Sequence, residues 1–571
     1  MTVASSSYDP AGGSDRLTPL IWLAGLFLLA LRPVDDYDTF WQLQSGRHIW
    51  EQRVFLYTDT FSLARDAFRL EHCWLSDIVF YLFYLLGGFI LLGMLKSVIV
   101  SACGILLLRR NSSAGVPPGL AALLLIPCMV ATSQAWVERP QLWTFLFSIV
   151  FMKLLHDGRE NGVRSWGWLP FLMIVWANLH AGAVFGVVLI GFFWFGEAWR
   201  RLRGETSSVR LALLCAVGLL AFAATFLNPY GSRIPMQLLA HANQTNHSGP
   251  VSYIMEWLPP TTERTPLFYI LFSLWGAAIL ARLRRIDPAE LLFFCAFSYM
   301  GFNQVRHAVF VPLLAGFYLP ASLYDIAQSL PRQPLRWQLR PVAGAMPVAL
   351  TLTFLVALNA ATGALGAGLK TSQFPVEAAS FVRENRLPAN LYNFYDWGGY
   401  LMWRLYPDYL VFVDGRNTSL EMLEASNRID TASEGWAGVL DRYGVNTVIT
   451  RTCYDDTGGP VQLVESIAVH PGWALVHADD TALVYLRRGD RTRELVARFE
   501  RDRSEAYRTM LAEASRMYRE DGGRSRALLA MARASMYLGD KKGALDNYRR
   551  FLERHPGDGE AVRMVRMLGG V

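Results

Sequence analysis

Little in this sequence is charged: Asp, Glu, Lys and Arg make up 18% of 571 residues, below the quarter that is usual in soluble domains. The signatures of several common enzyme classes are missing too. No Walker A loop, no glycine motif for a dinucleotide after a strand, no HExxH and no paired CxxC occur, so ATP-driven transport, redox work and zinc hydrolysis lack support. Cysteine is scarce. Of six, Cys103, Cys128, Cys215 and Cys295 fall in apolar runs, leaving Cys73 and Cys453, for which two free thiols are expected rather than a disulfide framework. A cleavable leader is not evident either: residues 1–17 are polar and no small-residue cleavage site follows the first apolar segment, which is expected to remain as an anchor.

Apolar residues are abundant, at 52% with 13% aromatic and a mean hydropathy of +0.22, which marks a polytopic α-helical membrane protein. Apolar runs at 18–34, 89–108, 119–136, 141–155, 166–199, 209–227, 267–283, 288–303, 308–324 and 342–361 are long enough, or nearly so, to span. The run 166–199 is too long for one helix and divides near His180, giving about eleven spans. A further stretch, 74–86, is too short to cross comfortably and ends at Gly87-Gly88; it reads as a helix lying at the interface.

That reading fixes the orientation. Arg109 and Arg110, then Lys153, Arg159 and Arg164, then Arg200, Arg201, Arg203 and Arg210, then Arg282, Arg284 and Arg285, then Arg332, Arg336 and Arg340 all fall on one side, the cytoplasmic one by the positive-inside rule. The net charge of +6 therefore reports orientation, and no nucleic-acid partner is implied. The expected organisation is a cytoplasmic N-terminus 1–17, a membrane domain 18–362 with a first outer loop 35–88, an outer-face α/β domain 370–490 and a helical stub 503–571.

In the α/β domain, helices are expected at 376–385 and 399–405, strands at 390–394, 409–413 and 447–450, and a hairpin at 474–485. In the stub, Leu528, Ala532, Gly539-Asp540, Ala544, Tyr548, Phe551 and Pro556 fall at the offsets of one tetratricopeptide (TPR) unit, which implies a surface for a protein partner.

The first outer loop opens with VDDYDTFWQ, placing Asp35, Asp36 and Asp38 at a membrane edge where carboxylates are costly without a role. The same topology brings His72 and Trp74, Arg139-Pro140-Gln141, Asn178 and His180, the turn Asn228 to Gly231, Glu256-Trp257 and Arg306-His307 to that side. No comparable polar set beyond the arginines is expected at the cytoplasmic ends. A carboxylate to deprotonate a nucleophile and cations to hold an anionic leaving group suit transfer from a phosphate-linked donor. Plainer readings stand beside this one: solvated acids at Asp36 and Asp38, a snorkelling Arg139, interface anchors at Trp74 and Glu256, and a structural His180.

A first span followed by this acidic motif, an interfacial helix beginning at His72 and Trp74, and a later outer motif at Arg139-Pro140 resemble the GT-C superfamily of membrane glycosyltransferases. These include protein O-mannosyltransferases, aminoarabinose transferases and oligosaccharyltransferase catalytic subunits. The resemblance covers roughly 17–360; the loop DDYDTFWQLQSGRHIW and the pieces WANLHAG, LNPYGSR and NQVRH also resemble a family of bacterial multi-pass GT-C-like proteins. It implies a polyprenyl-phosphate-type sugar donor and an acceptor protein or glycan, with the donor's lipid held in the membrane. Carried over to this chain, the motif residues are Asp36 and Asp38, acting on the acceptor; the outer-face placement above then assigns Arg139, Arg306 and His307 to the donor phosphate and His72, Trp74, Gln141, Asn178, His180 and Glu256 to the cavity. Any divalent metal would sit on Asp36 and Asp38. The tail order FVREN, YDWGGY, VDGRNT is similar to the outer domain of oligosaccharyltransferases, although the doubled tryptophan of their WWDYG motif is missing. That similarity implies an acceptor rim of Tyr395, Trp397, Tyr400, Asp414 and Arg416. A non-catalytic scaffold and a lipid or solute transporter are the competing functions; a deep outward-open cavity on which Asp36 or Asp38 and an arginine converge, beside a lipid-sized groove, favours the enzyme, and a filled cavity with those side chains pointing apart favours the scaffold.

Overall fold

A computed structural model describes residues 13–64, 67–205, 209–234, 236, 255–329 and 344–569. Part of the expected N-terminal segment and the arginines at 332, 336 and 340 lie outside these residues. The chain divides into two compact units. The first comprises 1–36, 45–55 and 70–369; the second comprises 37–44, 56–69 and 370–571.

The first unit is helical. Four helices are long and apolar enough to cross a membrane by length and composition: Trp74–Ser113, Pro118–Ala135, Ala181–Leu202 and Val305–Ser329. Leu17–Ala30, Leu211–Ala224, Pro266–Ala281 and Ala345–Ala361 are shorter apolar helices. Helices Gln141–Asn161, Trp168–Leu179 and Pro288–Asn303 complete the bundle. Trp74–Ser113 is broken at Gly87 and Gly88; Gly88 has φ 62°, a left-handed value at which a side chain is strained. The run around His180 is likewise interrupted, because His180 adopts extended backbone between Trp168–Leu179 and a short 3₁₀ turn. Trp22, Leu107, Leu125, Phe151, Trp176, Phe193, Trp275 and Val311 form the centre of one continuous apolar core.

Charge at the far end of this bundle overturns one expectation. Glu197 is fully buried and binds Arg159 (2.7 Å) and Arg200 (3.3 Å); Arg159 also binds Asp287 (2.6 Å), and Glu290 binds Arg282 (2.9 Å) and Trp275 (3.0 Å). His156 meets the hydroxyl of Tyr318 at 2.9 Å. The basic turns therefore carry a partly buried acid–base network roughly 30 Å along Gln141–Asn161 from Arg139. Glu197 meets Arg200 on its own helix at i,i+3, and packing adds Arg159 from another helix.

The second unit is built on a four-stranded sheet of order β1-β2-β4-β3, with β1 Leu391–Asn393, β2 Thr447–Thr450, β3 Trp473–Ala478 and β4 Leu483–Arg487. β1 runs parallel to β2, and the other pairs are antiparallel. The stretch 409–413 is not a strand. Val411 makes an isolated bridge with Ser62, and the Phe412 N–H is taken by the Asn393 side-chain oxygen (2.8 Å), so no ladder can extend there. Helices Val376–Glu384 and Gly398–Leu405 lie within this unit, and their buried residues include Ala378, Val382, Tyr400 and Leu401. At its end, Ser504–Glu520, Ala527–Tyr537, Lys541–Arg554 and Gly559–Met567 pack in succession. Leu528, Ala532, Tyr548 and Phe551, four of the positions in the repeat pattern, are buried between them.

Candidate functional site in the membrane unit

Asp36 is fixed from behind. After the helix Gly13–Ala30 ends, Val34 donates its N–H to the Gly368 carbonyl (2.7 Å) and bridges to Leu369, while Gly366 N–H reaches the Leu31 carbonyl (3.1 Å). Residues 366–369, to which the sequence reading gave no role, thus hold the acidic motif extended.

Its partner comes from the turn before Gln141–Asn161. Pro140 ends that turn without needing to donate a hydrogen bond, and Arg139 swings its guanidinium onto Asp36, with Nε at 2.7 Å and Nη2 at 2.5 Å from Oδ1. The Nη1 of Arg139 takes Glu256 Oε1 at 2.9 Å. Asp36 is nearly buried at 6% side-chain exposure, Arg139 is at 19% and Glu256 at 49%, so the acceptor of the outer bond is the replaceable one. Arg306 lies 5.8 Å from the Trp257 ring centroid, next to Glu256, and the Val305 N–H is bonded to Leu258 (2.9 Å). Asp36, Arg139 and Glu256 are joined directly, and Arg306 lies over Trp257, the residue after Glu256. His307 turns aside, edge-on to Phe185 at 6.4 Å.

A second strand of contacts joins other expected residues. Trp74 Nε1 donates to Asn178 Oδ1 (2.9 Å), whose amide nitrogen donates to the carbonyls of Ile174 and Leu227. His180 Nδ1 meets Thr144 Oγ1 (2.7 Å) and accepts the Gly182 N–H (3.1 Å), and His72 and Arg306 lie within its electrostatic range. Gln141 is half-buried at the start of its helix. Asn228 folds on itself, accepting the Tyr230 N–H at 2.9 Å, as a turn does.

Two residues went unnoticed in the sequence. Lys96, inside a spanning helix, binds Glu138 at 2.7 Å with both side chains at most 2% exposed, and also donates to the Arg32 carbonyl (3.3 Å). Adjacent Glu138 and Arg139 therefore take opposite partners, and Lys96 occupies the acid that would otherwise compete for Arg139. A lysine in an apolar run with an acid beside the RP dipeptide was the available signal.

The remaining expected residues belong to the second unit, where the site assignment changes. Tyr37, Phe40 and Trp41 serve its core: the Tyr37 hydroxyl binds Asp455 (3.2 Å), and Phe40 meets Phe374 and Tyr400 edge-on at 4.7 and 4.9 Å. A Cβ on Gly399 would lie 2.8 Å from the Tyr37 carbonyl, and one on Gly415 would lie 2.1 Å from Asp38 Oδ1. Those glycines let the acidic segment approach, which gives the YDWGGY and DGR pieces a packing role. Asp38 consequently rests against the DGR turn. Trp397, Tyr400, Asp414 and Arg416 are buried and do not form an open rim: Trp397 donates to the Gln373 carbonyl (3.0 Å), and Arg416 pairs with Asp414 (2.7 Å) and Asp59 (3.0 Å). Tyr395, half-buried, donates to Asn417 (3.0 Å). Cys73 and Cys453 are both buried and are not joined in a disulfide.

Asp36 already faces a guanidinium, and a divalent cation on the same carboxylate would be set against that charge. The residues around Asp36 do not fit a metal held there.

The fold has solved relatives. The oligosaccharyltransferase AglB from Archaeoglobus fulgidus, in complex with an inhibitory peptide and a dolichol-phosphate, superposes with a TM-score of 0.52 at 11% identity over 84% of this chain and 75% of that one. The apo form of the Archaeoglobus fulgidus oligosaccharyltransferase gives 0.50 at 12% identity over 83% and 75%. The chain has the GT-C fold. ArnT from Cupriavidus metallidurans, bound to undecaprenyl phosphate, also matches, with a TM-score of 0.47, 15% identity and coverage of 83% and 97%. No protein-family model and no curated protein matches the sequence. A GT-C fold does not by itself assign chemistry, so function rests on the residues just described.

Proposed function

We propose that this chain is a membrane glycosyltransferase that moves a sugar from a polyprenyl-phosphate-type lipid donor to an exported protein or surface glycan. The Asp36–Arg139–Glu256 arrangement carries the reading. The dolichol-phosphate bound to AglB, which shares the fold, supports the donor class. The protein sits in the plasma membrane with about eleven spans, arginine-rich turns inside, and the second unit on the outer face. There the α/β part and the TPR-like helices recruit the acceptor or a protein partner.

In the resting pair, Arg139 neutralises Asp36. An arriving phosphate competes for the guanidinium, first displacing exposed Glu256 and then loosening the hold on Asp36. The carboxylate is thereby freed to face the acceptor as the donor seats. The acceptor hydroxyl oxygen then bonds to the anomeric carbon, the bond from that carbon to the phosphate oxygen breaks with its electron pair, and the hydroxyl proton passes to Asp36. Arg139 and Arg306 balance the departing lipid phosphate, while Trp74, Asn178, His180 and His72 shape the cavity beside them.

The test is complementation of a gene-deletion strain, read by mass spectrometry of exported proteins and surface glycans. Asp36→Asn and Arg139→Gln are each expected to lower the modification by about 10² or more, and Asp38→Asn to act by loosening the DGR turn. Full modification in Asp36→Asn and in the double variant with Asp38→Asn would remove the assignment of the base.

A further inference from the structure

One group among the described residues brings together the donors of a metal site away from Asp36: Glu377, His477 and Asp479, whose ligand atoms all lie within 4.8 Å of one another. All three are in the second unit. We propose that they bind Zn²⁺, as a site with one imidazole nitrogen, two carboxylate oxygens and an open fourth position.

The local structure prepares each donor. Asp479 turns the β3–β4 hairpin, and its Oδ1 accepts the N–H groups of Thr481 and Ala482 (both 2.8 Å), which leaves Oδ2 directed at His477. His477 follows an irregularity in the β3–β4 pairing at Leu475/His477, and its ring is held flat against Phe381, with centroids 4.8 Å apart and planes 23° from parallel. Glu377 and Phe381 are four residues apart on the helix Val376–Glu384 and so share a face. The ring that orients the imidazole and the carboxylate that completes the set therefore come from one helical surface. Glu377 is exposed and can swing inward.

Distances fit the ion. Zn–N and Zn–O bonds of about 2.0–2.2 Å in tetrahedral geometry place neighbouring donors roughly 3.3 Å apart. His477 Nε2 and Asp479 Oδ2 stand at 2.9 Å, so a few tenths of an ångström of opening would admit the metal. Mixed imidazole and carboxylate donors favour Zn²⁺ over Mg²⁺, which prefers an all-oxygen octahedron. Thr509, from the helix Ser504–Glu520, donates to the Asp479 carbonyl (3.2 Å), so the ion would staple a helix, the hairpin and the first tail helix of the second unit.

Full-length protein purified in detergent, freed of its affinity tag and stripped by chelation, is titrated with Zn²⁺ against a chromophoric indicator, and its thermal unfolding is followed in parallel. The expected result is one zinc per chain and a raised Tm in the wild type. Glu377→Gln should keep the metal-free Tm but bind zinc at least about tenfold more weakly, and His477→Gln should lose the site. Absence of zinc uptake by the wild type would overturn the proposal. Equal affinity in Glu377→Gln and His477→Gln, or an equal Tm rise with Mg²⁺, would do the same.

Discussion

Arg416 decides whether the DGR turn reads an acceptor or builds the second unit. Its guanidinium contacts Asp59 through Nη1 (3.0 Å) and Nη2 (3.3 Å) and Asp414 through Nε (2.7 Å) and Nη2 (2.8 Å), with all three side chains at most 1% exposed. Arg416→Met would leave two buried carboxylates without their cation, a loss of about 3–5 kcal/mol when one partner of a buried pair is removed. Other donors soften it. Asp59 keeps Ser62 Oγ (2.6 Å), the Phe61 N–H (2.9 Å) and Thr418 Oγ1 (2.9 Å), and Asp414 keeps the N–H of residue 416 (2.9 Å), so the lower end of that range is expected. At about 2–4 °C per kcal/mol for a unit of roughly this size, the Tm should fall by about 6–12 °C.

The assay is thermal unfolding of the purified full-length chain in detergent, with acid titration as a second readout. Burial pushes the Asp59 carboxyl up, but Arg416 and the Ser62, Phe61 and Thr418 donors outweigh it and hold it below the ordinary range. Because the folded value is the lower one, this stabilisation is full above the unfolded value near about 4 and is lost as pH falls through the folded value. Wild-type protein should therefore lose stability below about pH 4, and Arg416→Met should show less of that loss. A variant with an unshifted Tm and no sugar transfer would refute the structural role and return Arg416 to the acceptor.

Asp430 gives the opposite pH dependence. Burial raises its carboxyl to about 8 despite the Tyr392 hydroxyl at 2.6 Å, so its contribution is full below the unfolded value and is lost as pH rises through about 8. Asp430→Asn should gain Tm over wild type between about pH 5 and about pH 9, as followed by unfolding scans; a constant difference would show that the carboxyl does not titrate there. For the membrane pair, Lys96→Met should cost about 3–5 kcal/mol by orphaning Glu138, whereas Lys96→Met with Glu138→Leu should recover most of it. Detergent unfolding of both checks this, and equal losses would place the cost in packing rather than in the unpaired charge.

These variants also separate what was legible in the sequence from what was not. Breaks at Gly87-Gly88 and His180 could be read because each interrupts an apolar run by local chemistry: glycine conformational freedom in one case, an over-long span in the other. That Asp36 and Arg139 share one side was readable, because topology placed both at span ends there; their direct ion pair was not. Lys96 with Glu138 left one signal, a lysine in an apolar run and an acid beside Arg139, whereas Glu197 with Arg159 could not be read as a pair, since they lie on different helices that only packing brings together. The same limit explains Arg416: D-G-R gives one turn signal whether it faces solvent or meets Asp59, more than three hundred residues earlier.

The acidic motif itself divides by function along those lines. Asp36 belongs to the membrane unit, while Tyr37 to Gln44 belong to the second unit, where Tyr37, Phe40 and Trp41 are bound by Asp455, Phe374, Tyr400 and close glycines. Asp38, half-buried, lies against Gly415 of the second unit. Asp36 instead faces a cation that also binds the exposed Glu256, which an anion can replace. Of the two aspartates, Asp36 is therefore the one whose cation an arriving phosphate would engage.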